Sequence, residues 1–290
     1  ARMKEKYDIH TVPEQILITN GSQQGLDFSG KLFLDEGDVV LFESPSYMGA
    51  FNAFKAYQPR FMEVPTDEEG MIPDALEKIL QTTERVKMIY VIPDFQNPTG
   101  RTWSLERRKA FMEIINRYNI PVIEDNPYGE LRYEGEAVPS LKSMDEKGLV
   151  IFLGSFSKIL APGYRIGWIC AAPEILQKYI FIKQGADLQP STVSQMEISR
   201  FMELYDLDAH VERIRKLYGS RRKLMLNTMK ETFPAQVKYT NPKGGLFTWV
   251  ELPENMDARE VLMKCVEKNV AYIPGGAFYP EGGKENTFRL

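Results

Sequence analysis

The sequence predicts an α/β fold, in which a mostly parallel central sheet has helices on both faces and a smaller C-terminal α/β domain follows. The first observation is that short apolar runs alternate with longer helical stretches from Gln15 to about residue 172. Such alternation is typical of parallel sheets. The second is that the pattern changes after Ala172 to long helices and, from Gln236 onward, to a short unit of strands and one helix. A chain of 290 residues can bury a core of this size.

Apolar runs bounded by turn formers predict the strands of the first part. They are Ile16–Thr19, Val39–Phe42, Arg60–Val64, Met88–Ile92, Val122–Glu124, Val150–Leu153 and Arg165–Ala171. Helices with a start signal lie between them, such as the one that Ser104 caps. They are Gln23–Leu34, Tyr47–Ala56, Pro73–Gln81 and Leu105–Tyr118. We interpret Val150–Leu153 and Ile166–Ile169, on either side of Lys158, as buried parallel strands joined by a loop.

The second part is predicted to begin with two long helical stretches, Pro173–Gly185 and Ser191–Phe233, the latter broken or bent around Tyr205–Asp208. The smaller unit then contains the strands Val237–Tyr239 and Leu246–Glu251 and the helix Ala258–Lys268. We expect a large domain, a connecting helix and a small domain, over residues 1–205, 206–234 and 235–290. Because the chain ends within a predicted strand, we expect the small domain to be incomplete.

Composition limits the function classes. A net charge of -4 and a pI near 5.5 give no positive surface for nucleic acid. His10 and His210 are the only histidines and neither has a metal-ligand spacing, so we predict no metal site. Cys170 and Cys265 are too few for a disulfide framework, which is typical of a reducing cytoplasm. Without a signal peptide or a membrane-spanning apolar run, we expect a cytoplasmic protein that binds neither nucleic acid nor membrane.

The segment Gly154–Trp168 places one lysine among hydroxyl and guanidinium groups. Ser155, Ser157 and Arg165 supply donors of the kind that hold a phosphate. A lysine that forms an imine must be partly desolvated and lie near cationic or polar groups. Lys158 in this setting indicates a phosphorylated aldehyde cofactor, although a loop lysine taken alone is more often a solvated charge.

Two more candidates follow the first two strands. Gly21–Gln24 opens a helix whose free backbone N–H groups can bind an anion. A simple turn capped by Asn20 or Ser22 is an equally favoured interpretation of this segment. Tyr47 follows the second strand, where it can lie flat against an aromatic ligand, but a core aromatic at a helix start is the commoner case.

Polar side chains also follow the central strands. Asn97 lies in the segment Gln96–Gly100, whose turn-forming residues are also typical of a plain loop. Asp125 emerges from a buried strand, where a carboxylate is costly unless it meets a cation such as a protonated pyridine nitrogen. Tyr128, three residues on, can reach an oxygen on the same ring. Because ligands bind outside the carboxyl ends of such strands, one cofactor explains these residues together.

These motifs, in this order, resemble the fold-type I pyridoxal-phosphate-dependent aminotransferases of class I and II over essentially the whole chain. The specific matches are Asn97–Gly100, Asp125 with Tyr128, and Ser155–Lys158 followed by Arg165. The segments that most resemble the 2-aminoadipate and kynurenine aminotransferase branch are Gly21–Asp27, Pro45–Tyr47 and Pro274–Gly276. The resemblance implies the large domain of the pyridoxal-phosphate-dependent transferases, with residues 1–205 binding the cofactor.

The resemblance also implies roles for single residues. Lys158 forms the internal aldimine with pyridoxal 5'-phosphate and carries the α-proton, Asp125 keeps the pyridine nitrogen protonated, and Tyr128 contacts the ring hydroxyl oxygen. Asn97 and Arg289 bind the substrate, with Arg289 on its α-carboxylate. The residues implied in cofactor binding are Ser22, Gln23, Tyr47, Asn97, Asp125, Tyr128, Ser155, Ser157, Lys158 and Arg165.

The implied activity is ping-pong transamination through Lys158. The donor is an amino acid of 2-aminoadipate-like, dicarboxylic or aromatic type, and the acceptor is a 2-oxo acid such as 2-oxoglutarate. A homodimer is implied by analogy. Two alternatives stay open: an aminotransferase-like effector domain of a transcription regulator, and a pyridoxal-phosphate-dependent lyase.

Overall fold

The computed structural model describes residues 1–290 and contains a seven-stranded sheet, a four-stranded sheet and a two-stranded ribbon. The strands are β1 (Ile16–Thr19), β2 (Val39–Glu43), β3 (Arg60–Val64), β4 (Thr66–Asp67), β5 (Gly70–Met71), β6 (Val86–Val91), β7 (Val122–Asp125), β8 (Val150–Ser155), β9 (Gly167–Cys170), β10 (Lys238–Tyr239), β11 (Trp249–Glu251), β12 (Ile273–Pro274) and β13 (Thr287–Arg289). The α-helices are α1 (Arg2–Tyr7), α2 (Ser22–Phe33), α3 (Met48–Lys55), α4 (Pro73–Thr82), α5 (Leu105–Tyr118), α6 (Pro173–Ala186), α7 (Thr192–Leu204), α8 (Leu207–Thr232) and α9 (Ala258–Val266).

The large sheet has the strand order β1-β9-β8-β7-β6-β2-β3 and is mostly parallel, as predicted. Neighbouring strands from β3 to β8 are all parallel. The prediction of parallel strands on either side of Lys158 is wrong, because β9 runs antiparallel to both β8 and β1. The connection between β8 and β9 contains only one 3-10 turn, Pro162–Tyr164, whereas a parallel neighbour needs a crossover of about a dozen residues or more.

Helices cover both faces of this sheet, which confirms the predicted α/β class. The side chains of β2 alternate between two hydrophobic clusters. Val40 and Phe42 pack with residues of α2, α3 and α6 on one face, while Val39 and Leu41 pack with residues of α4 and α5 on the other. Strands buried on both faces must be apolar throughout, which explains the continuous apolar runs of the sequence.

The break predicted near Tyr205–Asp208 is present as the boundary between α7 and α8. The Asp206 carboxylate accepts hydrogen bonds from the backbone N–H groups of Asp208 and Ala209, so it caps a new helix. Ser104 caps α5 in the same way, by accepting from the N–H of Arg107.

Most other predicted elements are present with slightly shifted ends, and the sequence reading missed the β4–β5 ribbon. The strand predicted over Leu246–Glu251 is shortened to β11, and just before that segment Gly245 donates its N–H to the Leu131 carbonyl oxygen, outside that sheet. No helix of the molecule is both long and apolar enough to span a membrane.

The sheet topology brings several chain segments to one edge. Strands β1, β2, β6, β7 and β8 run in the same direction, so their carboxyl ends, and the loops after them, meet at what we call the carboxyl edge of the large sheet. Strands β10 to β13 form the four-stranded sheet, which contributes Arg289 to this region.

Candidate active site

One cleft of about 330 Å³ opens at the carboxyl edge, and all the residues predicted to bind a cofactor line it. These residues are Ser22, Gln23, Tyr47, Asn97, Asp125, Tyr128, Ser155, Ser157, Lys158 and Arg165. Ile92, Pro127 and Pro162 complete the lining. The sequence reading missed these three because an apolar residue or a proline at a strand end carries no chemical signal of its own.

Lys158 lies in the loop after β8, as predicted, with its side chain partly buried. Burial lowers the pKa of its ammonium group, and the positive charges of Arg165 and Arg289 lower that pKa further. A lower pKa leaves more of the amine neutral near neutral pH, which is the form that attacks a carbonyl carbon.

Asp125 ends β7 with only 2% of its surface exposed. Its Oδ2 accepts a hydrogen bond from the Tyr90 hydroxyl at 2.9 Å, whereas its Oδ1 is buried and has no hydrogen-bond partner. Burial raises the pKa of Asp125 to about 7, and the Tyr90 hydrogen bond acts against that rise. A buried carboxylate oxygen without a partner costs desolvation free energy. We therefore expect a bound molecule to place a hydrogen-bond donor or a cation beside Oδ1.

The amino-terminal end of α2 is open to the cleft. Gly21 is the N-cap residue and no side chain caps the helix, so the alternative of a turn capped by Asn20 or Ser22 is wrong. The Asn20 amide instead donates to Asp187 Oδ2 at 2.5 Å. The first N–H groups of α2 therefore stay available to an anion.

Further donors converge on the same helix end. Gly21 approaches Arg165 so closely that a Cβ on Gly21 would lie 2.6 Å from the Arg165 Nη2 atom. From the other side, Ser155 Oγ accepts the Ser157 backbone N–H at 3.0 Å, which orders the turn before Lys158. Hydroxyl, guanidinium and helix N–H donors together are a suitable set for a phosphate.

Two tyrosines border the cleft. Tyr128 is 5% exposed, and both burial and the charge of Asp125 raise its pKa well above the usual value. The Tyr47 ring is only partly buried and lines the cleft, although it also packs against the core. Its hydroxyl donates to Gln23 Oε1 at 3.4 Å. The phenol groups are therefore protonated donors at neutral pH.

Arg289, predicted to bind the substrate, does not line this cleft but lies beside it on β13. Its Nη1 donates to Asn97 Oδ1 at 2.8 Å, and its guanidinium carbon lies 4.2 Å from the Phe247 ring centre and 4.9 Å from that of Phe278. Burial lowers its pKa, yet a guanidinium stays charged. The sequence reading missed Phe247 and Phe278, since nothing in the pattern distinguishes them from core aromatics.

This arrangement fits pyridoxal 5'-phosphate. The helix end with Arg165 offers donors for a phosphate, the unpaired Oδ1 of Asp125 offers an acceptor for a protonated pyridine nitrogen, and the amine of Lys158 offers a nucleophile for an aldehyde carbon. Arg289 supplies a cation for a carboxylate beside these groups.

Comparisons with known proteins agree with this fit. Residues 1–290 match the family model described as aminotransferase class I and II. The chain is 47% identical over 292 residues to the aromatic-amino-acid aminotransferase 1 of Thermococcus litoralis, covering 99% of this chain and 70% of that protein. It is 47% identical over 282 residues to the 2-aminoadipate transaminase of Thermus thermophilus, covering 96% and 70%.

A solved structure of Pyrococcus horikoshii kynurenine aminotransferase in complex with PMP has a TM-score of 0.95 and 42% sequence identity, covering all of this chain and 72% of that one. A regulator is more distant. The HTH-type transcriptional regulator NorG of Staphylococcus aureus is 30% identical over 285 residues, covering 98% of this chain and 63% of that protein.

Proposed function

The chain belongs to the class I and II aminotransferases, and we propose that it transfers the amino group of an aromatic amino acid or of 2-aminoadipate to a 2-oxo acid such as 2-oxoglutarate. The reaction class is pyridoxal-phosphate-dependent transamination. The observation that carries the residue assignments is that Lys158 and Asp125 line one cleft and that Arg289 lies beside it, hydrogen-bonded to Asn97 of the lining, each with a group left for a ligand. When bound, pyridoxal 5'-phosphate supplies an aldehyde carbon for amines and an electron-withdrawing ring.

The phosphate group is held at the amino-terminal end of α2. Ser22 and Gln23 supply the helix N–H groups there, and Arg165 supplies a guanidinium. The hydroxyls of Ser155 and Ser157 complete the set of donors. We assign these residues to the phosphate because no other anionic group of the cofactor matches so many donors.

The ring is held by the residues deeper in the cleft. The Asp125 carboxylate would accept a hydrogen bond from the protonated pyridine nitrogen through Oδ1, its free oxygen. Tyr128 and Asn97 would donate to the ring hydroxyl oxygen, and Tyr47 would pack against the ring. The pyridinium charge would compensate Asp125 for its burial, since an opposite charge favours the ionised carboxylate.

Lys158 performs the proton transfer. Its neutral Nζ would take the proton from the α-carbon of the substrate as a general base, and the resulting ammonium would give that proton to the former aldehyde carbon of the cofactor as a general acid. The lowered pKa of Lys158 suits both steps near neutral pH. We therefore assign catalysis to Lys158, with Asp125 and Tyr128 as the groups that act on the ring.

Arg289 holds the α-carboxylate of the substrate. Its Nη1 already donates to Asn97, and the remaining donors of the fork can face a carboxylate. The partly buried ring of Phe247 beside Arg289, together with Tyr47 of the cleft lining, gives an apolar surface that supports an aromatic substrate. The named activities of the two 47% identical relatives support the aromatic and 2-aminoadipate substrates.

We also propose the domain division 1–205, 206–234 and 235–290. The strands of the large sheet lie between Ile16 and Cys170, and those of the four-stranded sheet lie between Lys238 and Arg289, which supports this division. Helix α8 connects the two parts.

A homodimer and a cytoplasmic location are further proposals. Apolar side chains of Val193 and Met196 are exposed on α7, where a second copy can cover them. Cys170 and Cys265 are free thiols, a state that reducing compartments maintain.

A screen of amino donors tests the proposed function. The purified protein with pyridoxal 5'-phosphate is offered 2-aminoadipate, glutamate, phenylalanine, tyrosine, tryptophan or kynurenine, with and without 2-oxoglutarate, and the oxo product is measured. We expect turnover of an aromatic donor or of 2-aminoadipate that requires the acceptor, and none from the Lys158→Ala variant. A product formed equally well without acceptor would favour the lyase, and no product from any donor would contradict the proposal.

A further inference from the structure

Tyr90 lies outside the cleft lining but touches the group that faces the cofactor ring. It is fully buried in β6, and its ring meets Phe54 edge-on at 6.0 Å. Its hydroxyl donates to Asp125 Oδ2 at 2.9 Å. In the sheet register Tyr90 pairs with Ile123, two positions before Asp125, so Tyr90 and Asp125 share a face and the phenol reaches the carboxylate diagonally.

This contact gives the two oxygens of the Asp125 carboxylate different surroundings. The Tyr90 hydroxyl binds Oδ2, whereas Oδ1 is buried without a partner. A carboxylate held at one oxygen cannot turn freely, because turning would leave the Tyr90 hydroxyl unpaired in the core. The free oxygen is therefore fixed in its direction before any ligand binds.

We propose that Tyr90 is a positioning residue, which holds Asp125 so that Oδ1 faces the pyridine nitrogen of the cofactor and which stabilises the ionised carboxylate. This inference rests on the function proposed above. Tyr90, a core tyrosine, thereby affects cofactor binding through Asp125.

Among the groups near Asp125, only Tyr90 donates a hydrogen bond to the carboxylate. The other titratable groups near Asp125 are the phenols of Tyr47, before α3, and Tyr128, after β7. The cations that line the same cleft, Lys158 and Arg165, make no hydrogen bond to Asp125. Burial raises the pKa of Asp125 to about 7, and the hydrogen bond from Tyr90 is what opposes that rise.

The test compares Tyr90→Phe with a matched control, Tyr179→Phe. Tyr179 is also fully buried in the same hydrophobic cluster, and its hydroxyl is hydrogen-bonded to Ser29 at 2.7 Å, away from Asp125. The probe is pyridoxine 5'-phosphate, whose alcohol replaces the aldehyde, so it cannot bond covalently to Lys158. Its dissociation constant is measured between pH 5.5 and 9 for each protein, and far-UV circular dichroism checks the fold.

We expect the wild-type protein to lose affinity as the pH falls through about 7, because Asp125 becomes protonated. In Tyr90→Phe this midpoint moves to higher pH by about one unit or more, since a hydrogen bond to a charged group is lost. Affinity at pH 7.5 then falls about threefold or more, because less of Asp125 is ionised, while Tyr179→Phe behaves as wild type. In the Asp125→Asn background, Tyr90→Phe has no further effect.

An unshifted midpoint in Tyr90→Phe, or an equal shift in Tyr179→Phe, would overturn the inference. So would a Tyr90→Phe protein that does not fold when Tyr179→Phe does, since the role of Tyr90 would then be structural. A wild-type protein that binds neither pyridoxine 5'-phosphate nor pyridoxal 5'-phosphate would instead contradict the proposed function itself.

Discussion

Arg289 Nη1 donates a hydrogen bond to Asn97 Oδ1 at 2.8 Å, although the two residues are 192 positions apart in the chain. Arg289 belongs to the four-stranded sheet, and Asn97 follows the central strand β6 of the large sheet. Asn97 lines the same cleft as Lys158, so this contact between the two sheets lies beside that cleft. If Arg289 binds the substrate carboxylate, as we propose, this contact positions that carboxylate relative to the cofactor residues.

The first prediction concerns Arg289→Lys. Lysine keeps the positive charge but loses the planar fork that binds a carboxylate with two hydrogen bonds. Losing one hydrogen bond between charged groups costs about 1.5–3 kcal/mol, so we expect the KM for the amino acid to rise about 10- to 100-fold with a smaller change in kcat. Steady-state kinetics measure this. Arg259→Lys, on exposed α9, is the control, and an equal KM for Arg289→Lys and wild type would contradict the assignment.

The second prediction concerns Gly21→Ala. Gly21 has a φ of 73° and a ψ of 167°, a region essentially restricted to glycine, so alanine adopts it at a cost of about 1–3 kcal/mol, and the added Cβ would lie 2.6 Å from Arg165 Nη2. Because the guanidinium must move away, we expect affinity for pyridoxal 5'-phosphate to fall about tenfold, with a small drop in melting temperature. Gly163→Ala, in the same region with open space around it, should keep wild-type affinity. Unchanged affinity in Gly21→Ala would remove Arg165 from the phosphate site.

The third prediction concerns stability and pH. The folded protein raises the pKa of Asp125 to about 7 from an ordinary value of 3.8. The contribution of Asp125 to the free energy of unfolding is therefore fully present below about pH 4 and is lost as the pH rises through about 7. Asparagine stays neutral throughout. We expect the cofactor-free Asp125→Asn variant to be more stable than wild type at pH 8, by about 1–4 kcal/mol, and similar to it near pH 4.

Urea denaturation of the cofactor-free proteins at pH 4.5 and pH 8 measures this difference. Glu43 and Glu124 are also fully buried with pKa values of about 7, so part of the pH dependence remains in Asp125→Asn. A variant less stable than wild type at pH 8 would show that the Asp125 carboxylate is not strained in the empty cleft. The same variant is expected to bind pyridoxal 5'-phosphate more weakly, because its neutral amide cannot balance a pyridinium charge.

The positions of Asn97, Asp125 and Lys158 could be predicted from sequence. Each follows an apolar run, and the carboxyl ends of parallel strands meet at one edge of a sheet, so a pattern of strands is enough to bring them together. The role of Arg289 could be predicted only from the family resemblance, because no local pattern in the sequence connects Arg289 with Asn97.

The direction of β9 and the contact between Tyr90 and Asp125 could not be predicted. A uniformly apolar run such as Ile166–Ile169 shows that a strand is buried but not which way it runs. Tyr90 lies within an apolar strand and therefore has the sequence signature of a core aromatic. Its contact with Asp125 depends on the register between β6 and β7, which only the folded structure supplies.

We expect the cofactor to bond covalently to Lys158. The measurement is borohydride reduction of the protein loaded with pyridoxal 5'-phosphate, followed by proteolysis and mass spectrometry of the labelled peptide. We predict one phosphopyridoxyl group per chain, attached to Lys158, and no label and no transamination in Lys158→Ala. A label on another lysine, or one that persists in Lys158→Ala, would contradict the account.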